Sequence, residues 1–267
     1  MAISGSGALA TRFAMPDLGI AGLSDMAAIS RDILDATTIA CMVDGDDGYG
    51  DSKSVARTVR TNEALGIGAL VLEDQARAAK KPGQGTAVGV VSEEEICLKL
   101  RVAVQTRSSK DFWIIGRTDA YGVQGIDAAL RRADRYVRCG VDGLFIAGVR
   151  KPEDLARVGS AFRGIPLTVV VYGSNEWPSL SISELGRLGF SQILYPLSLL
   201  LPMCTMFADI LRTLRQSMDS GHAPPFPVDE KRARTILADA VELDRWTALE
   251  ADTREIAPST HDSDTPP

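Results

Sequence analysis

Thr38-Ile39-Ala40-Cys41-Met42-Val43-Asp44 and, one amphipathic stretch later, Ala69-Leu70-Val71-Leu72-Glu73-Asp74 decide how this chain is read. Each run is short, almost continuously apolar and closed by a carboxylate, the pattern of a parallel strand covered on both faces. The pattern returns at Phe112 to Asp119, Gly143 to Ala147, Leu167 to Tyr172 and Gln192 to Tyr195, with a possible stub at Ala2 to Ser4. Longer amphipathic stretches lie between the runs. They open on helix-start signals: Ser24 before Asp25-Met26, the capping boxes Ser92/Glu95 and Ser181/Glu184, and Pro152 in a first turn. Strand and helix therefore alternate, which predicts an α/β fold of βα units. Six clear runs and a stub fall short of the eight strands of a closed barrel, so a complete one would need a further βα unit ahead of Met1. Beyond Tyr195 the sequence predicts an apolar helix from Leu201 to Gln216, a breaker at Gly221-His222-Ala223-Pro224-Pro225, a polar helix over 228–251 and a disordered tail over 258–267.

Composition narrows the function. The 267 residues are 45% hydrophobic and 24% charged, the balance of a globular protein, and the net charge of −6 offers no basic face for a phosphate backbone, so nucleic acid is not an expected partner. No apolar run approaches the roughly 18 residues of a membrane span, and Met1-Ala2-Ile3-Ser4-Gly5 has neither part of a secretory leader. No membrane partner is expected, and the protein is expected in the cytoplasm. Cys41, Cys97, Cys139 and Cys204 lie far apart in apolar stretches and read as buried free thiols. Histidine is confined to His222 and His261, which argues against histidine triads and zinc sites. Carboxylates, Arg, Lys or backbone amides are left to carry any chemistry.

Those groups cluster at strand ends. Asp44 and Asp46 are two apart in Asp44-Gly45-Asp46-Asp47-Gly48-Tyr49-Gly50 and point the same way, and Glu73 closes the next strand. Three converging carboxylates repel unless a cation sits among them, and an oxygen-only set favours Mg²⁺ or Mn²⁺. An EF-hand loop fails at Gly48, and Gly66-Ile67-Gly68 precedes a strand where a dinucleotide fingerprint must follow one. Arg117, near the end of its strand, needs an anionic partner, either a fixed Asp119 or Glu73 or a substrate carboxylate or phosphonate. Ser4-Gly5-Ser6-Gly7 can present amides and hydroxyls to an anion.

Met15-Pro16-Asp17-Leu18-Gly19, the Asp44 to Gly50 cluster, Leu72-Glu73-Asp74-Gln75, Gly116-Arg117-Thr118-Asp119-Ala120 and Tyr195-Pro196-Leu197-Ser198 together resemble the isocitrate lyase and phosphoenolpyruvate mutase superfamily, in its short members: 2-methylisocitrate lyase, carboxyvinyl-carboxyphosphonate phosphorylmutase, oxaloacetate decarboxylase and phosphonopyruvate hydrolase. The resemblance implies a (β/α)8 TIM-type barrel, here without its first βα unit, with a terminal helix exchanged between subunits of a homodimer or homotetramer. It implies Mg²⁺ or Mn²⁺ and a small 2-oxo or 2-hydroxy acid that reacts through an enolate. Asp44 and Asp46 match the metal-site aspartates, Asp17 and Glu73 the carboxylates around them, Arg117 the arginine on the substrate, and Ser4, Gly5 and Ser6 the loop that holds its carboxylate. The expected organisation is one barrel domain over 1–257, with helix 228–251 packing on a neighbouring subunit through Ile236, Leu237, Val241, Leu243 and Trp246.

Departures from the family pattern bear on the reaction. The lyase loop of Lys-Arg-Cys-Gly-His reads Lys80-Lys81-Pro82-Gly83-Gln84, and the family Glu of one strand and Asn of the next fall on Ala147 and Val170. Isocitrate-type cleavage, which uses the missing groups, is not expected. The expected activity is a metal-dependent C–C lyase, by decarboxylation or retro-aldol cleavage, with Arg117 and Lys80 or Lys81 as catalytic groups. The alternatives are a phosphonate P–C mutase or hydrolase and a non-catalytic homologue that keeps the metal site.

Overall fold

A computed structural model describes residues 1–80, 89–171, 180–223 and 229–256. They divide into two compact units, Met1–Met203 and Cys204–Pro267. The first is a TIM-type α/β barrel, nearly closed, of seven parallel strands in chain order. The strands are β1 (Ala2–Ile3), β2 (Met42–Asp44), β3 (Ala69–Glu73), β4 (Trp113–Thr118), β5 (Gly143–Ile146), β6 (Leu167–Val170) and β7 (Phe190–Leu194). All seven runs read from the sequence are strands, the stub included. Several are shorter than their apolar runs. Thr38, Ile39 and Ala40 are exposed and precede the pairing of β2 with β3, which starts at Met42 opposite Ala69, so apolarity alone does not extend the strand.

Helices α1 (Gly5–Phe13), α2 (Leu23–Asp35), α3 (Ser52–Ala64), α4 (Glu93–Thr106), α5 (Ala120–Gln124), α6 (Ile126–Arg138), α7 (Pro152–Ala161) and α8 (Ile182–Arg187) connect the strands. Their starts follow local chemistry. Ser92 accepts from Glu95 N at 3.1 Å, Ser181 and Glu184 form the full reciprocal box, and Pro152 occupies the first turn of α7. The start of α2 differs from its expected place at Ser24. Asp25 reaches back to accept Gly22 N at 2.9 Å, which moves the cap two residues upstream and leaves Ser24 inside the helix.

Strand alternation sorts the core. Val43, Leu70, Leu72, Ile114, Leu144 and Val169 face the helices, in one cluster with α3, α4 and α6 residues such as Val55, Leu100 and Tyr136. Met42, Ala69, Val71, Ile115, Phe145 and Ala147 form a second cluster on the other face, with Val170 and Leu194 against it. A buried leucine of the first cluster truncated to alanine would cost about 2–5 kcal/mol. Cys41, Cys97 and Cys139 are buried free thiols, and burial pushes the Cys97 thiol up to about 11. Cys204 is exposed, against the sequence reading, because it lies on α9 (Leu200–Ser220), none of whose residues is buried.

The second unit takes up the rest of α9 and continues with α10 (Glu230–Ala240) and α11 (Leu243–Ile256). The sequence predicted one helix where two are found. Glu242 adopts φ 50°, a left-handed conformation that breaks the helical path between them. The tail over 258–267, Pro224, Pro225 and residue 228 lie outside the described residues. Among the described residues no helix is long and apolar enough to cross a membrane.

Candidate active site

The inward-facing residues at the C-terminal strand ends set the site. Glu73 lies beside Arg117 in the pairing of β3 with β4, Asp44 lies on β2 beside Val71, and Ser4 follows β1 directly. With Asp17 and Lys80 they line a cavity of about 1040 Å³. In TIM-type barrels this end of the strands carries the active site.

Arg117 meets both partners that the sequence offered. Its Nε and Nη2 donate to the two Asp119 carboxylate oxygens, each at 2.9 Å, and its Nη1 lies 2.8 Å from Glu73 Oε2. The Phe145 ring covers one face, with its centroid 5.1 Å from the guanidinium carbon. Of the five N–H groups of an arginine, these contacts engage three, so among the described residues one N–H on each terminal nitrogen remains for a substrate oxygen. Burial alone would lower the Arg117 pKa, but Asp119, Glu73 and Asp44 hold it well above its ordinary value. The backbone around it is tied down by Asp74, which accepts from Asp119 N at 2.8 Å, Thr118 hydroxyl at 2.6 Å, Tyr136 hydroxyl at 2.7 Å and Arg132 at 3.1 Å.

Glu73 is 2% exposed, and burial pushes its carboxyl well above the usual range against the pull of Arg117. Among the described residues its Oε1 accepts no hydrogen bond, and it forms an ion pair with the Lys80 ammonium at 3.3 Å. Lys80 Nζ also contacts Asp17 Oδ1 at 3.2 Å and Asp46 Oδ1, with its side chain 8% exposed. Burial favours its neutral form, but Glu73, Asp46, Asp44 and Asp17 together raise its pKa. The cage therefore favours the charged form of Lys80.

The N-terminal segment differs from the expected loop. Ser4 caps α1, accepting from Gly7 N at 3.3 Å, and Gly5 and Ser6 form the first helical turn. Small residues followed by Ala-Leu-Ala favour the helix once a serine can cap it. Gly5 N donates to Asp44 Oδ2 at 3.3 Å, so one helix-start amide already faces a carboxylate.

Sequence reading missed Arg77, in a 3₁₀ turn (Arg77–Ala79) just after β3. It donates to Asp47 Oδ1 from Nη2 at 2.7 Å, to Asp46 Oδ2 at 3.3 Å and to Gly19 O at 2.7 Å, clasping the loop after α1 to the loop after β2. Lys99 adds a bond to Asp47 O at 3.0 Å. The available signal was a cation just beyond a carboxylate-tipped strand. Lys81, Pro82 and Gln84 lie outside the described residues.

No three His, Cys, Asp or Glu residues among those described are arranged as a metal cluster. Lys80 and Arg117 stand between the carboxylates and already supply cationic charge. The donor set nevertheless suits Mg²⁺, which keeps several waters and takes one or two carboxylates, hard oxygens only. Among the described residues the Asp44 carboxylate accepts only long bonds, from Gly5 N at 3.3 Å and Asp46 N at 3.2 Å, and the buried Glu73 Oε1 accepts none.

Residues 1–215 match the family model for phosphoenolpyruvate phosphomutase. The chain belongs to this family. Among curated members it is 36% identical over 194 residues to 2,3-dimethylmalate lyase of Eubacterium barkeri, covering 73% of this chain and 66% of that one. It is 34% identical over 215 residues to 2-methylisocitrate lyase of Escherichia coli K12, covering 80% and 72%. The chain thus spans about two thirds of the length of the first of these relatives, 66%. A crystal structure of 2,3-dimethylmalate lyase superposes with TM-score 0.80 at 26% identity, over 94% of this chain and 85% of that one. Oxaloacetate acetylhydrolase in complex with the product oxalate gives 0.76 at 28%, over 92% and 85%. Named members of the phosphoenolpyruvate phosphomutase family thus include lyases acting on small organic acids.

Proposed function

We propose that this family member is a divalent-metal-dependent lyase that cleaves a C–C bond of a small 2-oxo or 2-hydroxy acid through an enolate. The observation that carries the reading is the paired arrangement of Arg117 and the Lys80 cage on one rim of the cavity. Asp44 and Asp46 would hold Mg²⁺ or Mn²⁺, which supplies positive charge beside the developing enolate oxygen. Arg117 uses its remaining N–H groups to grip a substrate oxygen, and Asp119 fixes its plane. Lys80 holds a proton at Nζ close to the acidic rim and can deliver it to a product carbanion or enolate. Among the described residues no histidine lines the cavity, so the site is stronger in charge stabilisation and proton donation than in proton abstraction. That balance suits decarboxylation of a 2-oxo acid, where no hydroxyl proton must be removed.

The relatives' names support the substrate class. Incubation with Mg²⁺ and oxaloacetate, 2,3-dimethylmalate, 2-methylisocitrate or phosphonopyruvate is expected to release pyruvate from one of the first two and no phosphate from the last. Phosphate release would favour the P–C reading, and no product from any would favour a non-catalytic homologue.

Assembly belongs to the same reading. Ile236, Leu237, Val241, Leu243 and Trp246 are 51–64% exposed, an amount of apolar surface that calls for a cover. A homodimer or homotetramer supplies it, and a monomer by light scattering would refute this.

A further inference from the structure

Asp74 follows Glu73 and, by alternation along the strand, turns away from the cavity toward the helices. It is fully buried, and none of Asp74, Thr118, Arg132 and Tyr136 lines the cavity, yet together they close around Arg117 from behind. Asp74 N donates to Arg117 O at 3.2 Å, Asp74 Oδ1 accepts from Asp119 N at 2.8 Å, and Oδ2 accepts from the Thr118 hydroxyl at 2.6 Å. The Tyr136 hydroxyl at 2.7 Å and Arg132 Nη1 at 3.1 Å reach the same Oδ2 from α6. Arg132 Nη2 also donates to Val91 O at 2.9 Å, and Val91 N donates to Asp74 O at 2.9 Å, which anchors Asp74 itself. A Cβ at Gly116 would lie 3.1 Å from Tyr136 Cδ2, so the ring packs on the backbone of β4 just before Arg117.

We infer, given the proposed grip of Arg117 on a substrate oxygen, that Asp74 is a positioning residue for that arginine, acting through the Thr118 hydroxyl and the Asp119 amide. The backbone on both sides of Thr118 hangs on this one residue, the Arg117 carbonyl on its amide and the Asp119 amide on its carboxylate. Asp119 in turn carries the guanidinium on its two oxygens, so a turn of the peptide between Thr118 and Asp119 swings the Arg117 N–H groups away from the substrate. A displacement of about 1 Å at such a group costs up to about a hundredfold in rate. A carboxylate suits the place, because its two oxygens offer about four acceptor positions and the four donors just named arrive there. A side-chain amide offers fewer and would set its own N–H groups against them. The buried charge is answered by Arg132, itself 4% exposed. With its acceptor positions engaged the carboxylate keeps one orientation, and the end of β4 keeps it too.

Calorimetry of oxalate binding to the whole protein with Mg²⁺ tests this with two variants at one position. Thr118→Val keeps the volume and removes the hydroxyl that Asp74 accepts, whereas Thr118→Ser keeps the hydroxyl and opens a methyl-sized space. Both should melt lower than wild type. Only Thr118→Val should bind oxalate more weakly, by about fivefold, while Thr118→Ser stays within about twofold of wild type. A merely structural role would not separate the two in affinity. Oxalate bound by Thr118→Val as tightly as by wild type, or lost equally in both variants, would overturn the positioning role. Should Thr118→Val fail to fold, Tyr136→Phe removes another donor from the same carboxylate oxygen and carries the same expectation. Absence of oxalate binding by the wild type would instead overturn the grip of Arg117 on substrate, and the role of Asp74 with it, so the wild type reports on the proposed function and the variants on the positioning.

Discussion

The Lys80 ammonium lies 3.3 Å from Glu73 Oε1, a buried oxygen without a hydrogen-bond partner among the described residues, inside a pocket of carboxylates. A divalent cation on Asp44 and Asp46 would stand against that ammonium, and two positive groups about 4 Å apart repel by several kcal/mol even in a moderately polar interior. Metal binding is therefore expected to move Lys80 Nζ off Asp46 while leaving it at the rim, and the lysine charge to weaken metal affinity. Lys80→Met should bind Mn²⁺ at least about tenfold more tightly, roughly 1.4 kcal/mol, in an electron paramagnetic resonance titration. The variant should also melt lower than wild type without metal, because Asp46 and Glu73 lose their counter-charge. Unchanged Mn²⁺ affinity would refute the competition.

Asp119 fixes the Arg117 guanidinium through two parallel bonds. Asp119→Asn keeps the shape and removes the charge, so Arg117 is left facing Glu73 with one fewer acceptor. Loss of one partner of a buried pair costs about 3–5 kcal/mol when the charge is fully uncompensated, and Glu73 reduces that here to about 2 kcal/mol. Oxalate affinity with Mg²⁺ should fall at least tenfold by calorimetry. An unaltered dissociation constant would show that Arg117 does not need Asp119 for its orientation.

Acid should loosen the loop after β2 through Asp47. Burial alone would raise this carboxyl, but the hydrogen bond from Arg77 and the charge of Lys99 hold it below 3.8. A depressed carboxyl contributes stability that is present above 3.8, its ordinary value, and is lost as pH falls through the lower folded value. Arg77→Met removes the clasp, with an expected cost of about 3 kcal/mol at neutral pH. Urea melts of wild type and variant should converge as pH drops below 3.8. A constant gap down to the acid limit would locate the effect of Arg77 elsewhere.

Strand order and the rim carboxylates were legible because both are written locally: apolar runs closed by Asp44, Glu73 and the Arg117 to Asp119 segment. Alternation along a strand also tells which side chains share a face. Pairings across long separations were not legible. Lys80 meets Asp17 from 63 positions away and Arg77 bonds Gly19 from 58, contacts set by how two loops fold over the barrel end. The break at Glu242 was equally hidden, since a glutamate is an ordinary helix residue and only its backbone angle ends α10.

Gly45 separates the two site aspartates and is the tightest test of how the rim is built. A Cβ there would lie 2.5 Å from Leu70 Cδ1 and 2.8 Å from the Val71 carbonyl oxygen, while Gly45 N donates to that same oxygen at 2.9 Å. The leucine end can shift, but the strand carbonyl cannot without giving up its bond. Gly45→Ala should therefore cost about 3 kcal/mol, the upper end for overpacking, and should push Asp46 away from Asp44. Gly66 provides the contrast. It has φ 86°, and a Cβ added there would meet nothing within 4 Å among the described residues, so Gly66→Ala pays only the left-handed backbone penalty of about 1 kcal/mol and leaves the rim alone. Denaturant melts and Mn²⁺ titrations on both variants should show Gly45→Ala losing stability and metal affinity together, and Gly66→Ala losing stability alone. Equal metal affinity in the two would mean that the spacing of Asp44 and Asp46 does not govern the cation site.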